Sequence, residues 1–265
     1  MSESRPAAGA VGTTVAWGLL VYGAVQLVAS QLAKNATGAA AIEAVVAEFG
    51  AGRLGIAWSD PEEPLPSSAA IGNRALRGAA MGLGLAALLV LFTVVTSAAS
   101  LGSSRGSIAQ VVVGVILVAL YAVRDELLLR GLVLRAFRGT APDVALLGLS
   151  GLSGAASHWG MSATCPPLEA AAAGALAVIF AALWLADRGA WLAWGAHVGY
   201  GIVMGPLTRG GLLDLRARPG LWGGGGDGVE AGAAGLVVLT AAAIGVAAWA
   251  LKYRARGSRQ ASSTG

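Results

Sequence analysis

The sequence predicts an all-α, polytopic bundle of about seven to eight transmembrane helices. Of the 265 residues, 56% are hydrophobic and only 12% are charged, whereas soluble domains carry about 25% charged residues. The apolar residues form long runs, and a bilayer core about 30 Å thick needs roughly 20 such residues per helix. Glycine and alanine are abundant within these runs, which favours close packing between membrane helices.

Seven segments are apolar and long enough to be predicted as spans. An eighth candidate, at about 39–49, holds Glu43 and Glu48 in a short apolar run, which favours an interfacial amphipathic helix over a span. We expect one membrane domain over residues 1–265 and no separate soluble domain. The seven predicted spans are about 12–33, 76–100, 107–123 with a helical continuation to about 138, 142–158, 168–186, 190–206 and 231–251.

The basic residues predict how the bundle is oriented. With seven spans, 13 of the 18 Lys and Arg residues fall on the side that carries the C-terminal "LKYRARGSR". Because Lys and Arg concentrate on the cytoplasmic side, we expect a cytoplasmic C-terminus and an external N-terminus, in a bacterial inner membrane. An eighth span would reverse the N-terminus. Most basic residues lie at span ends, so the net charge of +4 does not indicate nucleic-acid binding.

A few ionisable residues lie inside the predicted spans. Such a residue costs several kcal/mol unless it is paired or wetted, so each is a functional candidate. His158 and His197 are the only histidines of the chain, and both lie in apolar, glycine-rich segments. The candidates are Asp125, Glu126 and Arg130 on the third span, His158 on the fourth and His197 on the sixth.

Helical spacing divides the charged residues of the third span. Glu126 and Arg130 are four residues apart, so they share a helix face and we expect them to form an ion pair. Asp125 is rotated by about 100° from Glu126, and its own neighbour four residues on is Leu129. The pattern gives Asp125 no partner on its face and gives the adjacent Arg124 no evident role.

We therefore expect Asp125 to face His158 and His197 in a wet cavity near the middle of the membrane. A carboxylate can act as general base on water, while an imidazole positions the water or stabilises an oxyanion. This arrangement predicts hydrolytic chemistry. Two alternatives stay open: the three side chains could tie helices together by hydrogen bonds, or Asp125, His158 and His197 could bind a catalytic zinc ion.

Three short motifs on successive spans carry a family resemblance. "DELLLRG", beginning at Asp125, matches Glu-Glu-x-x-x-Arg-Gly; "GAASHWG" matches a motif that ends in a histidine, His158; and His197 begins a match to His-x-x-x-Asn, with Gly201 at the last position. In this order and spacing, over about 107–235, the chain resembles the CPBP intramembrane proteases, the CAAX-protease and bacteriocin-processing family.

The resemblance implies a bundle of about eight helices and hydrolysis of a peptide bond near the membrane, without a metal ion or other cofactor. It implies that Asp125 is the base, that Glu126 and Arg130 are its supporting pair, and that His158 and His197 bind the water and the oxyanion. The partners it implies are the lipid bilayer and a membrane-anchored or lipid-modified protein. Examples are a bacteriocin-like peptide or a C-terminal sorting tail, as in the myxosortase-type branch.

The chain departs from the family pattern at three positions. Asp125 is one methylene shorter than the usual Glu, and a displacement of about 1 Å can cost about 100-fold in rate. Gly201 replaces an Asn that would be an oxyanion donor, and Gly154 replaces an aromatic residue. A non-catalytic scaffold, chaperone or immunity protein of the same fold is therefore the main alternative. A proton-coupled transporter ranks last, because the sequence shows no inverted repeat.

Overall fold

The computed structural model describes residues 8–33, 35–60, 65–137, 139–161, 167–209, 211–225 and 228–263. Over these residues the predicted all-α bundle of seven to eight helices is confirmed, because the helical segments join into eight continuous helices. The helices are α1 (Ala8–Leu32), α2 (Ala36–Arg53), α3 (Ser68–Val95), α4 (Ile108–Asp125), a π-helical segment (Glu126–Gly131), α5 (Leu132–Ala136), α6 (Asp143–Met161), α7 (Pro167–Asp187), α8 (Trp191–Ile202), a second π-helical segment (Val203–Leu207), a 3-10 turn (Val229–Ala231) and α9 (Ala233–Ser263).

Most helix boundaries lie close to the predicted ones, but α3 begins earlier than the predicted residue 76. Its N-cap is Ser67, whose hydroxyl accepts a hydrogen bond from the backbone N–H of Ala70. Helix α4 begins with a capping box between Ser107 and Gln110 and continues without a break into the first π-helical segment and α5. The third predicted span, with its continuation, is therefore one long helix.

One end of the bundle carries a small sheet that was not predicted. Strand β1 (Ala99–Ser103) pairs antiparallel with β2 (Leu213–Ala217), with Ala99 opposite Ala217. The predicted second span ran to about residue 100, but α3 ends at Val95. The sheet joins the segment after α3 to the segment after α8. We call this the sheet end of the bundle.

The opposite end is rich in arginine, and ion pairs connect its helices. Arg74 Nε on α3 lies 3.5 Å from Asp187 Oδ1 at the end of α7. Arg254 Nη1 on α9 lies 3.0 Å from Asp143 Oδ1 at the start of α6. Arg74 and Arg254 belong to the group of basic residues that the sequence predicts to be cytoplasmic. We call this the basic end.

Helix α2 is the eighth helix of the bundle, whereas the sequence predicted an interfacial amphipathic helix here, and the burial of Glu43 was not predicted. Glu43 is only 7% exposed and is ion-paired with Arg124 on α4. Further along, the turn at Gly55 lies beside the Arg135 guanidinium, 3.7 Å from a Cβ built on Gly55. Helix α2 therefore runs parallel to α4, towards the basic end, and buries its acidic residue inside the bundle.

Helix α1 runs in the opposite direction to α2 and α4. Gly18 packs against the side chain of Leu132 in α5, whereas Tyr22 lies against Arg124, about two turns further from the basic end. Helix α1 therefore begins at the basic end. The prediction that the N-terminal helix enters from the end opposite the basic residues is wrong, because it counted seven helices and omitted α2.

Small residues bring α3 and α8 into backbone contact, as the abundance of glycine predicted. A Cβ built on Gly82 would lie 1.9 Å from a backbone carbonyl of α8, and one on Gly195 would lie 2.1 Å from a carbonyl of α3. Gly199 meets α3 in the same way, at 2.2 Å. Gly195 and Gly199 flank His197 in sequence, so this packing fixes the helix that carries the histidine.

Three of the described helices are long and apolar enough to cross a membrane by length and composition. A hydrophobic run of this length in a chain with so few charges indicates an integral membrane protein. The other helices of the bundle pack around these three and include those that carry the site residues. The three are Ser68–Val95, Pro167–Asp187 and Ala233–Arg256.

Candidate active site

One cavity, with a volume of about 360 Å³, receives side chains from α4, α6, α7 and α8. Four of the five predicted site residues line it: Asp125, Arg130, His158 and His197. The fifth, Glu126, has a side chain with 0% exposure and lies behind the cavity wall. The structure thus brings the motifs of three distant segments to one place, which we call the site cavity.

Glu126 lies between the second predicted histidine and the predicted arginine. Its Oε1 is 2.8 Å from Arg130 Nη1 and 3.0 Å from His197 Nδ1. The predicted Glu126–Arg130 ion pair is confirmed. The contact between Glu126 and His197 was not predicted, because His197 was expected to face Asp125. A buried carboxylate is costly to the fold unless it is paired in this way.

Asp125 faces the site cavity, but the prediction that it lacks a local partner is wrong. Arg124 Nε donates to Asp125 Oδ1 at 2.7 Å, and Arg124 Nη2 lies 2.7 Å from the same oxygen. Adjacent helix positions do not normally face each other. Here Glu43 binds Arg124 from α2, and the ring of Tyr22 lies 5.3 Å from its guanidinium, so the arginine folds across the helix. The Asp125 side chain remains 18% exposed.

His158 contacts the carboxylate of Glu169, which was not predicted as a site residue. Its Nε2 lies 2.5 Å from Oε1 of Glu169, in the first turn of α7. The two side chains are 42% and 22% exposed. An acidic residue in the first turn of a helix is common because of the helix dipole, so Glu169 gave no signal in the sequence. The structure shows no hydrogen bond or ion pair between Asp125 and His158 among the described residues.

Phe180 on α7 holds the buried half of the site in place. Its ring stacks on the His197 imidazole, with centroids 4.8 Å apart and planes 12° apart. The Arg130 guanidinium lies over the same ring, 4.9 Å from its centroid. Phe180 is 1% exposed. A phenylalanine in an apolar helix cannot be distinguished from ordinary core in the sequence, so this residue was missed.

The two glycines that depart from the family pattern are sites of close helix packing. A Cβ on Gly201 would lie 2.6 Å from Val118 Cγ1 on α4. A Cβ on Gly154 would lie 2.4 Å from the Ala177 Cβ on α7. Larger residues at these positions would push α8 from α4 and α6 from α7. The structure therefore leaves no space for an Asn at 201 or an aromatic residue at 154 unless these helices move.

A second polar group lines the site cavity towards the sheet end. Tyr200 Oη donates to Glu230 Oε1 at 2.5 Å, and Arg209 Nη2 donates to Glu230 Oε2 at 2.8 Å. Tyr200 is three residues after His197, so it extends the same face of α8. Arg209 and Glu230 lie in connecting segments, where single charges are expected in any protein, and they were not predicted.

Unsatisfied polar atoms concentrate at the buried ion pair. Within the described ranges, Glu126 Oε2 and Arg130 Nε are buried and have no hydrogen-bond partner. Such atoms are rare in proteins, and in native structures they often belong to functional sites. No group of three His, Cys, Asp or Glu side chains in the described part of the chain is placed to bind a metal ion.

The comparisons with known proteins identify one family. A family model described as Type II CAAX prenyl endopeptidase Rce1-like matches residues 105–203. The matched segment contains all five predicted site residues, and the resemblance drawn from the three motifs is confirmed. No curated protein and no solved structure matches the chain.

Proposed function

Because residues 105–203 match the model of the Rce1-like CAAX prenyl endopeptidases, we propose that this chain is an intramembrane endopeptidase. Its substrate is a membrane-anchored or lipid-modified protein, and its base is Asp125. The observation that supports this proposal is that Asp125 and both imidazoles line one cavity, while Glu126 is buried behind it. The family has a catalytic acid and a supporting acid. At the corresponding positions of this chain, Asp125 lines the cavity and Glu126 is buried.

In the proposed reaction, the Asp125 carboxylate takes a proton from water, and the water oxygen attacks the carbonyl carbon of the scissile bond. The tetrahedral intermediate then collapses, the C–N bond breaks, and the amine leaves with the proton from Asp125. Arg124 holds Oδ1 of Asp125, so Oδ2 is the oxygen that accepts the proton. Arg124 holds the carboxylate in one orientation. A base held in this way loses less rate than a mobile one, which offsets the shorter side chain of Asp compared with Glu.

The two histidines have different roles in this proposal. Glu169 contacts Nε2 of His158, so Nδ1 is the ring nitrogen left to bind the attacking water. Glu126 contacts Nδ1 of His197, so Nε2 is the ring nitrogen left to face the oxyanion. This nitrogen takes the place of the Asn amide that Gly201 lacks.

We propose that the reaction needs no metal ion. Arg124 already binds the Asp125 carboxylate with two nitrogens, and a positive guanidinium at that oxygen opposes a divalent cation there. Zinc bound by Asp125, His158 and His197 is the competing arrangement. It predicts that a chelator abolishes the activity, whereas the proposed mechanism predicts that a chelator leaves it unchanged.

The experiment compares the wild-type chain with Asp125→Asn. Each protein is reconstituted with membranes from source cells that lack the chain, and new peptide termini are measured by mass spectrometry, with and without a chelator. Asn keeps the shape of the side chain but cannot accept the proton. We expect the new termini to decrease by about 100-fold or more.

The matched control is Asp214→Asn, which removes a carboxylate paired with Arg216 at the exposed sheet end. We expect it to cleave like the wild type. The proposal fails if Asp125→Asn yields the wild-type termini at the wild-type rate. That result would support the second candidate, a non-catalytic scaffold of the same fold, which the glycines at 154 and 201 favour because both remove side chains usual in the family.

A further inference from the structure

A second cavity, of about 160 Å³, lies at the basic end of the bundle. That volume is roughly ten times what a single water molecule requires. Its lining includes three arginines, Arg135, Arg188 and Arg254, and two aspartates, Asp60 and Asp143. We call this cavity the arginine pocket. None of these residues takes part in the proposed hydrolysis.

Among the described residues that line the arginine pocket, three are arginines and two are aspartates. Arg254 Nη1 lies 3.0 Å from Asp143 Oδ1, and Arg188 Nε lies 3.7 Å from Asp60 Oδ2. The two arginine side chains are 38% and 47% exposed, so both pairs are loose and in contact with solvent. No described residue forms a hydrogen bond or ion pair with Arg135. The pocket therefore offers the Arg135 guanidinium, which has no ion-pair partner among the described residues, beside two arginines that are paired and partly exposed.

Backbone strain marks the same place. Arg188 has a φ of 53°, in the left-handed region that non-glycine residues rarely adopt. It follows α7, where the N–H of Gly189 bonds to the carbonyl of Trp184 and the N–H of Asp60 bonds to the carbonyl of Arg188. Helices usually place glycine at this capping position. An arginine retained there at a cost in strain is typical of a residue kept for binding.

The pocket also has an apolar wall. Ile56, Leu134, Leu146 and Trp184 line it beside the charged groups. All four side chains are at most 9% exposed, so the wall is continuous with the core of the bundle. A ligand with a charged group and an apolar part would match both surfaces.

Aromatic side chains place the pocket at the level of the lipid headgroups. Trp58 stacks on Trp191 with centroids 4.5 Å apart, and Trp194 meets both rings edge to face. Tryptophan gathers at membrane–water interfaces, and Lys and Arg gather on the cytoplasmic side. Trp58 and Asp60 belong to one short segment, so the Trp cluster and the pocket share this level.

We propose that the arginine pocket binds a phosphate group, supplied by the headgroup of an anionic phospholipid. Arginine guanidinium groups bind phosphate oxygens in bidentate geometry, and basic pockets between helices on the cytoplasmic side bind anionic headgroups. The apolar wall would take the first part of an acyl chain. The inference is independent of the proposed proteolysis and does not use the site cavity.

The test uses the full chain in a neutral detergent and measures its thermal unfolding with increasing ligand. Three probes are compared: phosphatidylglycerol, phosphatidylcholine and inorganic phosphate. We expect phosphatidylglycerol to stabilise the protein, with an apparent affinity about tenfold or more above that of phosphatidylcholine. Arg135→Gln should weaken phosphatidylglycerol binding about tenfold, because it removes one charge-assisted contact.

The matched control is Arg77→Gln, which removes the same charge from α3 outside the pocket. It should bind phosphatidylglycerol like the wild type, and Arg254→Gln should weaken binding as Arg135→Gln does. If inorganic phosphate stabilises the wild type as strongly, and Arg135→Gln removes that effect, the pocket binds phosphate from a soluble source. The proposal is overturned if Arg135→Gln and Arg77→Gln respond alike to every probe.

Discussion

The two histidines of the site cavity are held in two different ways. His197 lies on a helix fixed by backbone contact with α3, stacks on Phe180 and contacts Glu126, which has 0% exposure. His158 contacts Glu169 near the end of its helix, and both side chains are partly exposed. Both pairs join an imidazole to a glutamate. One belongs to the core of the fold, and the other belongs to the wall of the cavity.

This difference in burial between the two pairs indicates at which residues an effect on stability can be separated from an effect on activity. A buried charge contributes to stability through its partners, and removing one partner leaves the other uncompensated. An exposed pair is screened by solvent and contributes little to stability. We therefore expect substitutions at Glu126 to affect fold and activity together, and substitutions at Glu169 to affect activity alone.

The largest effect is expected for Glu126→Gln. It leaves the Arg130 charge buried without its carboxylate, which typically costs about 3–5 kcal/mol in the free energy of unfolding. Denaturant unfolding of the purified protein in detergent measures this loss. The double variant Glu126→Gln/Arg130→Gln removes both charges and should recover part of the stability. No recovery would show that the ion pair is not the origin of the loss.

A smaller loss is expected for Phe180→Leu. Leucine fills most of the space but loses the ring contacts with His197 and Arg130, for a cost of about 1–2 kcal/mol. The same unfolding experiment measures it. Leu183→Ala, at a fully buried residue on the same helix, separates general packing from the effect on the site. Cleavage should decrease more in Phe180→Leu than in Leu183→Ala; the reverse order would contradict a positioning role.

The smallest effect on stability is expected for Glu169→Gln. The unfolding free energy should change by less than about 0.5 kcal/mol, because the pair with His158 is partly exposed. Cleavage should nevertheless decrease about tenfold, as the loss of an orienting carboxylate frees the imidazole to adopt the other tautomer. Cleavage by Glu169→Asp should be intermediate. A change in stability without a change in cleavage would remove the distinction between the two pairs.

The sequence predicted the site residues better than their partners. A carboxylate or histidine inside an apolar run is unusual by itself, so Asp125, Glu126 and His197 could be identified without a structure. Their neighbours could not, because helix periodicity tells which residues share a face but not which helix lies opposite. Glu43 is the clearest example: its acidic side chain suggested a solvated surface, whereas its partner, Arg124, lies 81 residues further along the chain.

The same limit explains the error in helix count. Helix α2 is short and carries two carboxylates, and by composition it is a poor span. It is stable inside the bundle because Glu43 is paired and because its alanines pack closely against α1 and α4. The π-helical turn at Glu126–Gly131 likewise gives no local signal, although such turns often occur at functional sites.

The contact between Gly201 and Val118 also constrains how this chain can change through evolution. The 2.6 Å separation leaves no room for a side chain at 201 while a β-branched residue occupies 118. Helix α8 cannot move away from α4 freely, because its glycines are in contact with the backbone of α3 on another side. An asparagine at 201 would therefore need a smaller residue at 118 or a shift of the helices, so we expect these two positions to change together.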